Sequence, residues 1–299
     1  MSSAAVPGQR SAFRRLSAWL FAKRRTKLGF LLGPPMLWMV IVYLGALAVL
    51  FLTAFWRQDP LTAEVTRQWG IQNFKTLADG EVYRTIALRT AGIAAATTII
   101  CVILAIPISY YAARIAKPRT RTILLLAVVL PLWSSYLVRL YSWRVILSGN
   151  GFLNWSLEKL GFGSLSISYS NWSILIVFVY LWLPYVVLPI YAAFERIPDS
   201  LFEASADLGS KWPKTFRRVV LPMALPGIVA GSIFSFSLTL GDYIVPQLVG
   251  NTQFIGNVIY QSVGVANNVP FAAAYATVPV AVMALYLLGA RKMGAFEAL

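Results

Sequence analysis

The chain has 299 residues, of which 58% are apolar and only 12% are charged. Soluble globular proteins contain about 45–50% apolar and about 25% charged residues, so a water-soluble fold is excluded. The net charge of +15 would suggest a nucleic-acid partner on a polar surface, but this composition cannot supply such a surface. We therefore expect the charges to lie at the rims of a membrane protein that binds no nucleic acid.

The chain also lacks the residues that most catalytic sites use. It contains a single cysteine, Cys101, and no histidine. Disulfides and cysteine-based zinc sites are therefore excluded, and the commonest general base and metal ligand is missing. The sequence predicts a non-catalytic protein without a cofactor of its own.

Six apolar segments are long enough to cross a membrane. A transmembrane helix needs about 20 mostly apolar residues to cross about 30 Å of hydrocarbon. The first segment follows basic residues, as a signal peptide does, but its apolar run is about twice the length of a signal-peptide core, so we expect it to be retained. The predicted fold class is an all-α membrane protein with spans at residues 28–55, 90–113, 122–147, 172–194, 223–240 and 271–290.

The distribution of lysine and arginine predicts the orientation. The N-terminal tail and the connections after spans 2 and 4 contain seven, four and five of these residues, and the C-terminal tail contains two. The opposite connections contain five, one and none. Because positively charged loops stay in the cytoplasm, both termini are predicted to be cytoplasmic.

Three regions follow from these spans. Residues 1–27 form a basic cytoplasmic tail, residues 28–292 form the membrane domain, and residues 293–299 form a short C-terminal tail. The stretch 241–270 is too polar and too rich in glycine and asparagine to be a seventh span. It is a candidate for a re-entrant segment that the protein shields from lipid.

The cytoplasmic loop 196–222, between spans 4 and 5, has a clear local pattern. Pro198 ends the preceding helix, and Ser200 followed three residues later by Glu203 is typical of a capping box. A short helix is therefore predicted to begin at Leu201.

This short helix is predicted to present one small or apolar face. Glu203 and Asp207 are four residues apart, near the positive end of the helix dipole. Gly209 supplies the left-handed residue that ends the helix, and Pro213 fits the first turn of a second short helix. The face itself consists of Leu201, Ala204, Ser205 and Leu208.

The residues from Glu203 to Pro222 read E-A-S-x3-G-x9-V-x-L-P. This pattern resembles the EAA signature of the inner-membrane permease subunits of ATP-binding-cassette importers, E-A-A-x3-G-x9-I-x-L-P. Two positions differ, with Ser205 in place of alanine and Val219 in place of isoleucine. Two further segments, PLWSSYLVRLYSWRVILSGNGFLN and SLTLGDYIVPQLVG, are similar to the spermidine/putrescine branch of that family.

The resemblance implies a type I importer permease fold in a bacterial inner membrane. It implies a coupling helix at residues 201–208 that sits in a groove of a separate ATPase, which uses ATP and Mg²⁺. It also implies two such ATPase subunits, a second permease subunit that is a related chain or a copy of this one, and an extracytoplasmic solute-binding protein. The residues implied in coupling are Ser200, Leu201, Glu203, Ala204, Ser205, Asp207, Leu208 and Gly209.

The translocation path is predicted from polar and aromatic residues of spans 3 to 5. Ser135, Arg139 and Ser142 are spaced to form a polar stripe on span 3 that points into the bundle, whereas Arg144 can reach the outer headgroups. Asp242, just after span 5, is a candidate partner for either arginine in an outer gate. Aromatic rings available for a cation path are Trp133, Tyr136, Tyr141, Trp182, Tyr185 and Tyr243.

Ordinary structural roles remain open for these residues. An intramembrane arginine can satisfy backbone carbonyls, an aspartate after a glycine can form a turn, and aromatic residues often belong to a bundle core or an interfacial belt. For the chain as a whole, the alternative is an ion-coupled secondary transporter or channel that needs no ATPase. Such a protein would favour acidic residues within its spans and often an inverted repeat, and neither is evident in the sequence.

Overall fold

The computed structural model describes residues 24–59, 62–165 and 167–292. The predicted tails lie outside these ranges except for residues 24–27. In chain order the elements are α1 (Arg24–Met39), α2 (Gly45–Thr53), β1 (Arg57–Gln58), β2 (Val65–Thr66), α3 (Gln72–Asp79), α4 (Glu81–Tyr110), α5 (Pro118–Val129), α6 (Tyr136–Ile146), α7 (Phe152–Lys159), α8 (Asn171–Glu195), α9 (Asp199–Asp207), α10 (Trp212–Thr215), α11 (Leu221–Gly241), α12 (Ile244–Val249), α13 (Ile255–Gly264) and α14 (Val269–Lys292).

Several of these helices run into one another through π-helical turns and so form longer spans. Such turns join α1 to α2, extend α4 to Ile115, and join α10 to α11. Within the described ranges, five resulting helices are long and apolar enough to cross a membrane, and a sixth crossing exists if the bent pair α5 and α6 is counted as one. The five are Leu31–Thr53, Glu81–Ile115, Asn171–Glu195, Trp212–Gly241 and Val269–Arg291.

The third predicted span is not one continuous helix, which corrects the expectation for residues 122–147. Its two halves, Pro118–Trp133 and Tyr136–Ile146, meet at an angle of 98°. Pro131 lies in a 3₁₀ turn and has no N–H to continue the helix, and its carbonyl accepts a hydrogen bond from the Ser134 hydroxyl at 2.8 Å. Ser134 then adopts an extended conformation, and α6 begins after Ser135.

The described chain separates into two compact units with a boundary between Ala54 and Phe55. In the first unit, α1 and α2 form one apolar helix in which Pro34 and Pro35 are accommodated. Most of its described side chains are exposed and apolar. A helix that is apolar on all sides is typical of a membrane span.

In the second unit, α8 forms the centre of the bundle. α8 packs against α4 and α11, and its buried side chains supply much of the hydrophobic core. Gly227 and Gly231 on α11 allow the backbones to approach closely. A Cβ at Gly227 would lie 2.6 Å from the Pro189 carbonyl oxygen, and one at Gly231 would lie 3.0 Å from Val186 Cα. Close contact at small residues is the usual packing mode of membrane helices.

The stretch 241–270 forms two short helices, α12 and α13, as expected of a segment that is not a seventh span. These helices are fixed to the bundle by hydrogen bonds. The Ser173 hydroxyl donates to the Val249 carbonyl at 3.0 Å, and the Ile255 amide donates to the Thr90 hydroxyl at 3.1 Å. One end of the bundle therefore carries the loop 196–222, and the other carries Asp242 and the helices α12 and α13.

Candidate functional site

The helix α9 in the loop 196–222 begins two residues earlier than predicted, at Asp199. Pro198 is the N-terminal cap, and its carbonyl accepts from the Leu201 amide at 3.2 Å, so the first turn closes at Pro198. Ser200 therefore lies inside the helix and makes no capping bond, and Glu203 is exposed. The predicted capping box between Ser200 and Glu203 is wrong.

The predicted apolar face of α9 is divided between two surroundings. Leu201 and its neighbour Phe202 are partly buried and pack against the bundle core. Ala204 and Leu208 are exposed, and Leu208 is 87% exposed. The predicted face is wrong because it omits Phe202. Phe202 and Leu201 face the core together, which turns Ala204 and Leu208 outward. The outer surface of α9 combines apolar Ala204 and Leu208 with acidic Glu203 and Asp207.

The end of α9 agrees with the prediction for Gly209. Gly209 has a left-handed φ of 69°, its amide donates to the Ala206 carbonyl at 2.8 Å, and the Ser210 amide donates to the Ser205 carbonyl at 3.0 Å. These two bonds define a Schellman motif, which requires a left-handed residue and favours glycine. In the described part of the chain, no atom beyond its two chain neighbours lies within 4 Å of a Cβ built at Gly209, so its backbone conformation, not space, sets the requirement.

The sequence predicts a second, separate short helix after Gly209, and this prediction is wrong. Pro213 lies in the first turn of α10, as expected, but α10 continues through a π-helical turn, Phe216–Val220, into α11. The wider turn leaves room for Pro222, which lacks the N–H of a regular α-helix and would crowd the carbonyl four residues earlier. The loop thus connects α9 directly to the fifth span.

Ser205 also links α9 to this fifth span. Its hydroxyl forms a 2.7 Å hydrogen bond with the hydroxyl of Thr215, which is buried. An alanine at position 205, as in the EAA pattern, could not form this bond. The serine that replaces alanine at this position of the pattern is therefore used in a hydrogen bond to Thr215.

At the other end of the bundle, Asp242 joins the bent third span to α12. Its Oδ1 accepts from the amides of Ile244 and Val245 at 2.8 and 3.0 Å. Its Oδ2 accepts a hydrogen bond from the Tyr136 hydroxyl. Asp242 thus caps α12 and binds the first residue of α6.

The predicted ion pair between Asp242 and an arginine is not formed among the described residues. Arg139 is half-buried, with its guanidinium carbon 5.9 Å from the centre of the Tyr136 ring, and Arg144 is exposed. The Arg144 Nε donates to the Tyr169 hydroxyl at 3.1 Å. The predicted pairing is therefore wrong, and the side chain that donates to Asp242 is Tyr136.

Arg139 lies deeper than Arg144, as expected, but the predicted stripe does not form one inward face. Ser135 and Ser142 are exposed in this chain. Ser135 is the residue directly after the bend, so it does not follow the helical spacing on which the stripe depends. The Nε of Arg139 is buried and has no hydrogen-bond partner within the described ranges.

The predicted path aromatics fall into separate groups. Tyr136 and Tyr185 both contact Trp182, with ring centres 6.4 and 5.9 Å apart. Tyr243, the residue after Asp242, stacks on Tyr260 at 4.7 Å. Two further aromatic residues are exposed on other surfaces, Trp133 and Tyr141. The aromatic residues close to Asp242 are therefore Tyr136 and Tyr243, with Trp182 and Tyr185 extending from Tyr136.

Neither end of the bundle offers a metal site in the described part of the chain. No group of three or more histidine, cysteine or carboxylate side chains is close enough there to hold a metal ion. Cys101 is fully buried between helices, and its sulfur lies 3.7 Å from the Val179 carbonyl oxygen.

The geometry defines a helical membrane subunit with an exposed loop helix at one end, and comparisons with known proteins agree. Residues 105–293 match the family described as "Binding-protein-dependent transport system inner membrane component". The inner membrane ABC transporter permease YdcU of Escherichia coli is 42% identical over 304 residues, which cover 97% of each chain. The spermidine/putrescine permease PotB of Haemophilus influenzae is 34% identical over 221 residues, 73% of this chain and 77% of PotB.

Solved structures support the same fold. A chain of a bacterial alginate ABC transporter, crystallised with a periplasmic protein bound to an alginate pentasaccharide, superposes with a TM-score of 0.74. The superposition covers 95% of this chain and 97% of that chain at 16% identity. The fold is thus that of a type I importer permease, a multi-pass inner-membrane subunit of an ABC importer. The chain belongs to the family of binding-protein-dependent transport system inner membrane components.

Proposed function

We propose that this chain forms half of the translocation path for a polyamine such as spermidine or putrescine. It works with a second permease subunit, two ATPase subunits and an extracytoplasmic solute-binding protein. ATP and Mg²⁺ act in the ATPase subunits, and this chain converts their closure into movement of its spans. Both termini and the loop 196–222 face the cytoplasm, in accord with the lysine and arginine bias.

The observation that carries the ATPase proposal is the outer surface of α9. Leu208 projects at the end of a short helix with 87% of its surface exposed, beside Ala204 and the carboxylates of Glu203 and Asp207. An apolar centre with a polar rim matches the usual arrangement of a protein–protein interface. We assign this surface, which we name the α9 tip, to the groove of an ATPase subunit.

Replacement of Leu208 by aspartate should disrupt this docking. A charge at the centre of an apolar interface is buried without a partner, so we expect ATPase binding to weaken by at least about 30-fold, as at an interface hot spot. Co-purification of the ATPase with the tagged permease measures the effect. Val265→Asp is the matched control because Val265 is 80% exposed at the other end of the bundle. Equal ATPase recovery with both variants would contradict the assignment of the α9 tip.

The polyamine assignment draws on the relatives. PotB of several bacteria is named for spermidine and putrescine, and this chain is 30–34% identical to these proteins. The name of YdcU specifies no solute, and the alginate transporters are 16–18% identical and share only the fold. The rings of Tyr136, Trp182 and Tyr185 suit a cation because aromatic faces attract positive charge.

The solute is tested on the solute-binding protein that we propose as a partner of this chain. We expect spermidine or putrescine to raise its melting temperature, since a ligand at 100 times its Kd adds about 2.7 kcal/mol to stability. Alginate oligosaccharide serves as the comparison ligand. Stabilisation by the oligosaccharide and not by polyamines would refute the polyamine assignment and leave the importer assignment intact.

The ion-coupled alternative makes a different prediction for the isolated chain. A secondary transporter or channel would move solute in liposomes with an ion gradient and no ATPase. The permease proposed here moves solute only in the complete complex with ATP. Uptake by the isolated chain would therefore decide for the alternative.

A further inference from the structure

Arg114 lies at the end of the span helix that begins with α4, in its terminal π-helical turn. Its side chain is only 15% exposed. The Nη1 atom donates to Asp199 Oδ1 at 2.8 Å, and the guanidinium carbon lies 5.1 Å from the centre of the Phe202 ring. Both partners belong to α9, so this one side chain joins the second span to the loop helix.

The same guanidinium also binds the end of α8. Its Nη2 atom donates to the Phe194 carbonyl at 2.6 Å and to the Ile197 carbonyl. Carbonyls in and just after the last turn of a helix lack partners within that helix, and a cation there is favoured by the helix dipole. Arg114 therefore holds three elements together: the end of the second span, the end of the fourth span and the start of α9.

Contacts on the other side of α9 lead to the fifth span. Ser205 is hydrogen-bonded to Thr215 at 2.7 Å, and the Schellman motif at Gly209 fixes the direction of the chain between them. A displacement of α9 thus acts on α10 and α11 through Thr215 and on α4 through Arg114. These two spans pack against each other and against α8 in the bundle.

We propose that Arg114 is the positioning residue that transmits movement of α9 to the second span. The inference rests on the proposed function, because the movement originates in an ATPase. Arginine is required since its planar fork can bind a carboxylate and backbone carbonyls at the same time, whereas lysine is a single point charge.

The chain offers a matched control in Arg121. Its guanidinium forms an ion pair with Glu195 and lies 5.1 Å from the centre of the Tyr191 ring. This pair is at the same end of the bundle and joins α5 to α8, but these partners are not part of α9. Arg121→Gln therefore removes a comparable arginine–carboxylate pair without breaking the link to α9.

Three variants test the proposal in the complete transporter with its ATPase and binding protein. Arg114→Lys retains the charge, Asp199→Ala removes one α9 partner that is 85% exposed, and Arg121→Gln is the control. We expect solute uptake per ATP hydrolysed to fall about 2- to 30-fold in the first two variants, the range for disrupted coupling contacts. The control should keep the parent ratio. The Arg114→Lys and Asp199→Ala effects should not add in the double variant, because both break one link.

A distance measurement separates transmission from a merely structural role. One spin label is placed at a cysteine replacing Ala206 on α9. The other replaces Lys117, two residues after the π-helical turn that ends the second span at Ile115, and Cys101 is changed to alanine. The two labels report the separation of α9 from the end of the second span. With ATP we expect the labels of the parent protein to move together at a nearly constant distance. In Arg114→Lys and Asp199→Ala the distance should change with ATP, because α9 then moves without α4.

The outcomes distinguish the two proposals. Parent uptake that needs no ATPase would refute the proposed function. ATP-driven uptake in the parent, with unchanged uptake ratios and unchanged label distances in Arg114→Lys and Asp199→Ala, would overturn the role of Arg114 alone. Arg114→Lys could also lower the amount of protein in the membrane. Asp199→Ala serves as the second variant for this reason, because substitution at its exposed site causes a much less severe folding defect.

Discussion

Gly209→Val is expected to leave membrane insertion intact and to uncouple transport from ATP hydrolysis. Valine at a φ of 69° is disfavoured by about 1–2 kcal/mol, and its branched side chain gains no compensating contact in the open space around Gly209. The Schellman motif would then open and redirect the chain between α9 and α10. We expect uptake per ATP hydrolysed to fall about 5- to 30-fold, the population change that corresponds to such a free energy.

Two matched variants separate the conformation from its position. Gly209→Asn should retain much of the coupling, because asparagine tolerates the left-handed region better than valine. Gly161→Val introduces a comparable strain in the connection between α7 and α8. Gly161 has a φ of 81°, and among the described residues no atom beyond its chain neighbours lies within 4 Å of a built Cβ. Normal coupling in Gly209→Val, or an equal loss in Gly161→Val, would contradict the role of the turn after α9.

Asp242→Ala is expected to impair both stability and transport. Removal of the carboxylate leaves the Ile244 and Val245 amides and the Tyr136 hydroxyl without their acceptor, and a buried donor without a partner costs about 1–3 kcal/mol. α12 would lose its cap, and the bent third span would lose its bond to α12. Thermal unfolding in detergent and solute uptake measure the two effects, with Asp79→Ala at an exposed helix end as the control.

Asp242→Asn tests whether the carboxylate acts by its bonds or by its charge. The amide oxygen can accept from both backbone amides, and its NH₂ group can donate to Tyr136, so we expect most of the stability and uptake to remain. For the same reason the charge-swapped pair Asp242→Arg with Arg139→Asp should not restore uptake. A stable Asp242→Asn protein without transport would show instead that the negative charge itself is needed.

The residues at which α9 is bounded in the 196–222 loop could be predicted from the sequence, because helix ends depend on local backbone preferences. Pro198 and Gly209 fix φ or permit a left-handed turn wherever they occur, and both perform these roles in the structure. The predicted capping box is wrong because the first turn closes at the Pro198 carbonyl, which places Ser200 inside the helix. The predicted orientation of α9 is wrong because the packing of Phe202 against the core sets this orientation, and helical spacing alone does not reveal that packing.

The partners of the site residues could not be predicted because they are distant in sequence. Arg114 and Asp199 are 85 residues apart, and Tyr136 and Asp242 are 106 residues apart. Two local signals were nevertheless present. An aspartate two residues before a short apolar helix can accept from the first amides of that helix, which is what Asp242 does. The Ser134–Ser135 pair after Pro131 is the kind of sequence at which helices kink.

The bend in the third span has a consequence for the surroundings of the protein. Pro118–Trp133 contains 16 residues, about 24 Å of helix, so this half alone falls short of about 30 Å of hydrocarbon. Ser134 and Ser135 interrupt the backbone hydrogen bonding and are exposed in this chain. Irregular backbone at membrane depth is tolerated only against protein or water. With α5 and α6 counted as one span, we therefore expect water or a neighbouring protein, rather than acyl chains, beside this flank.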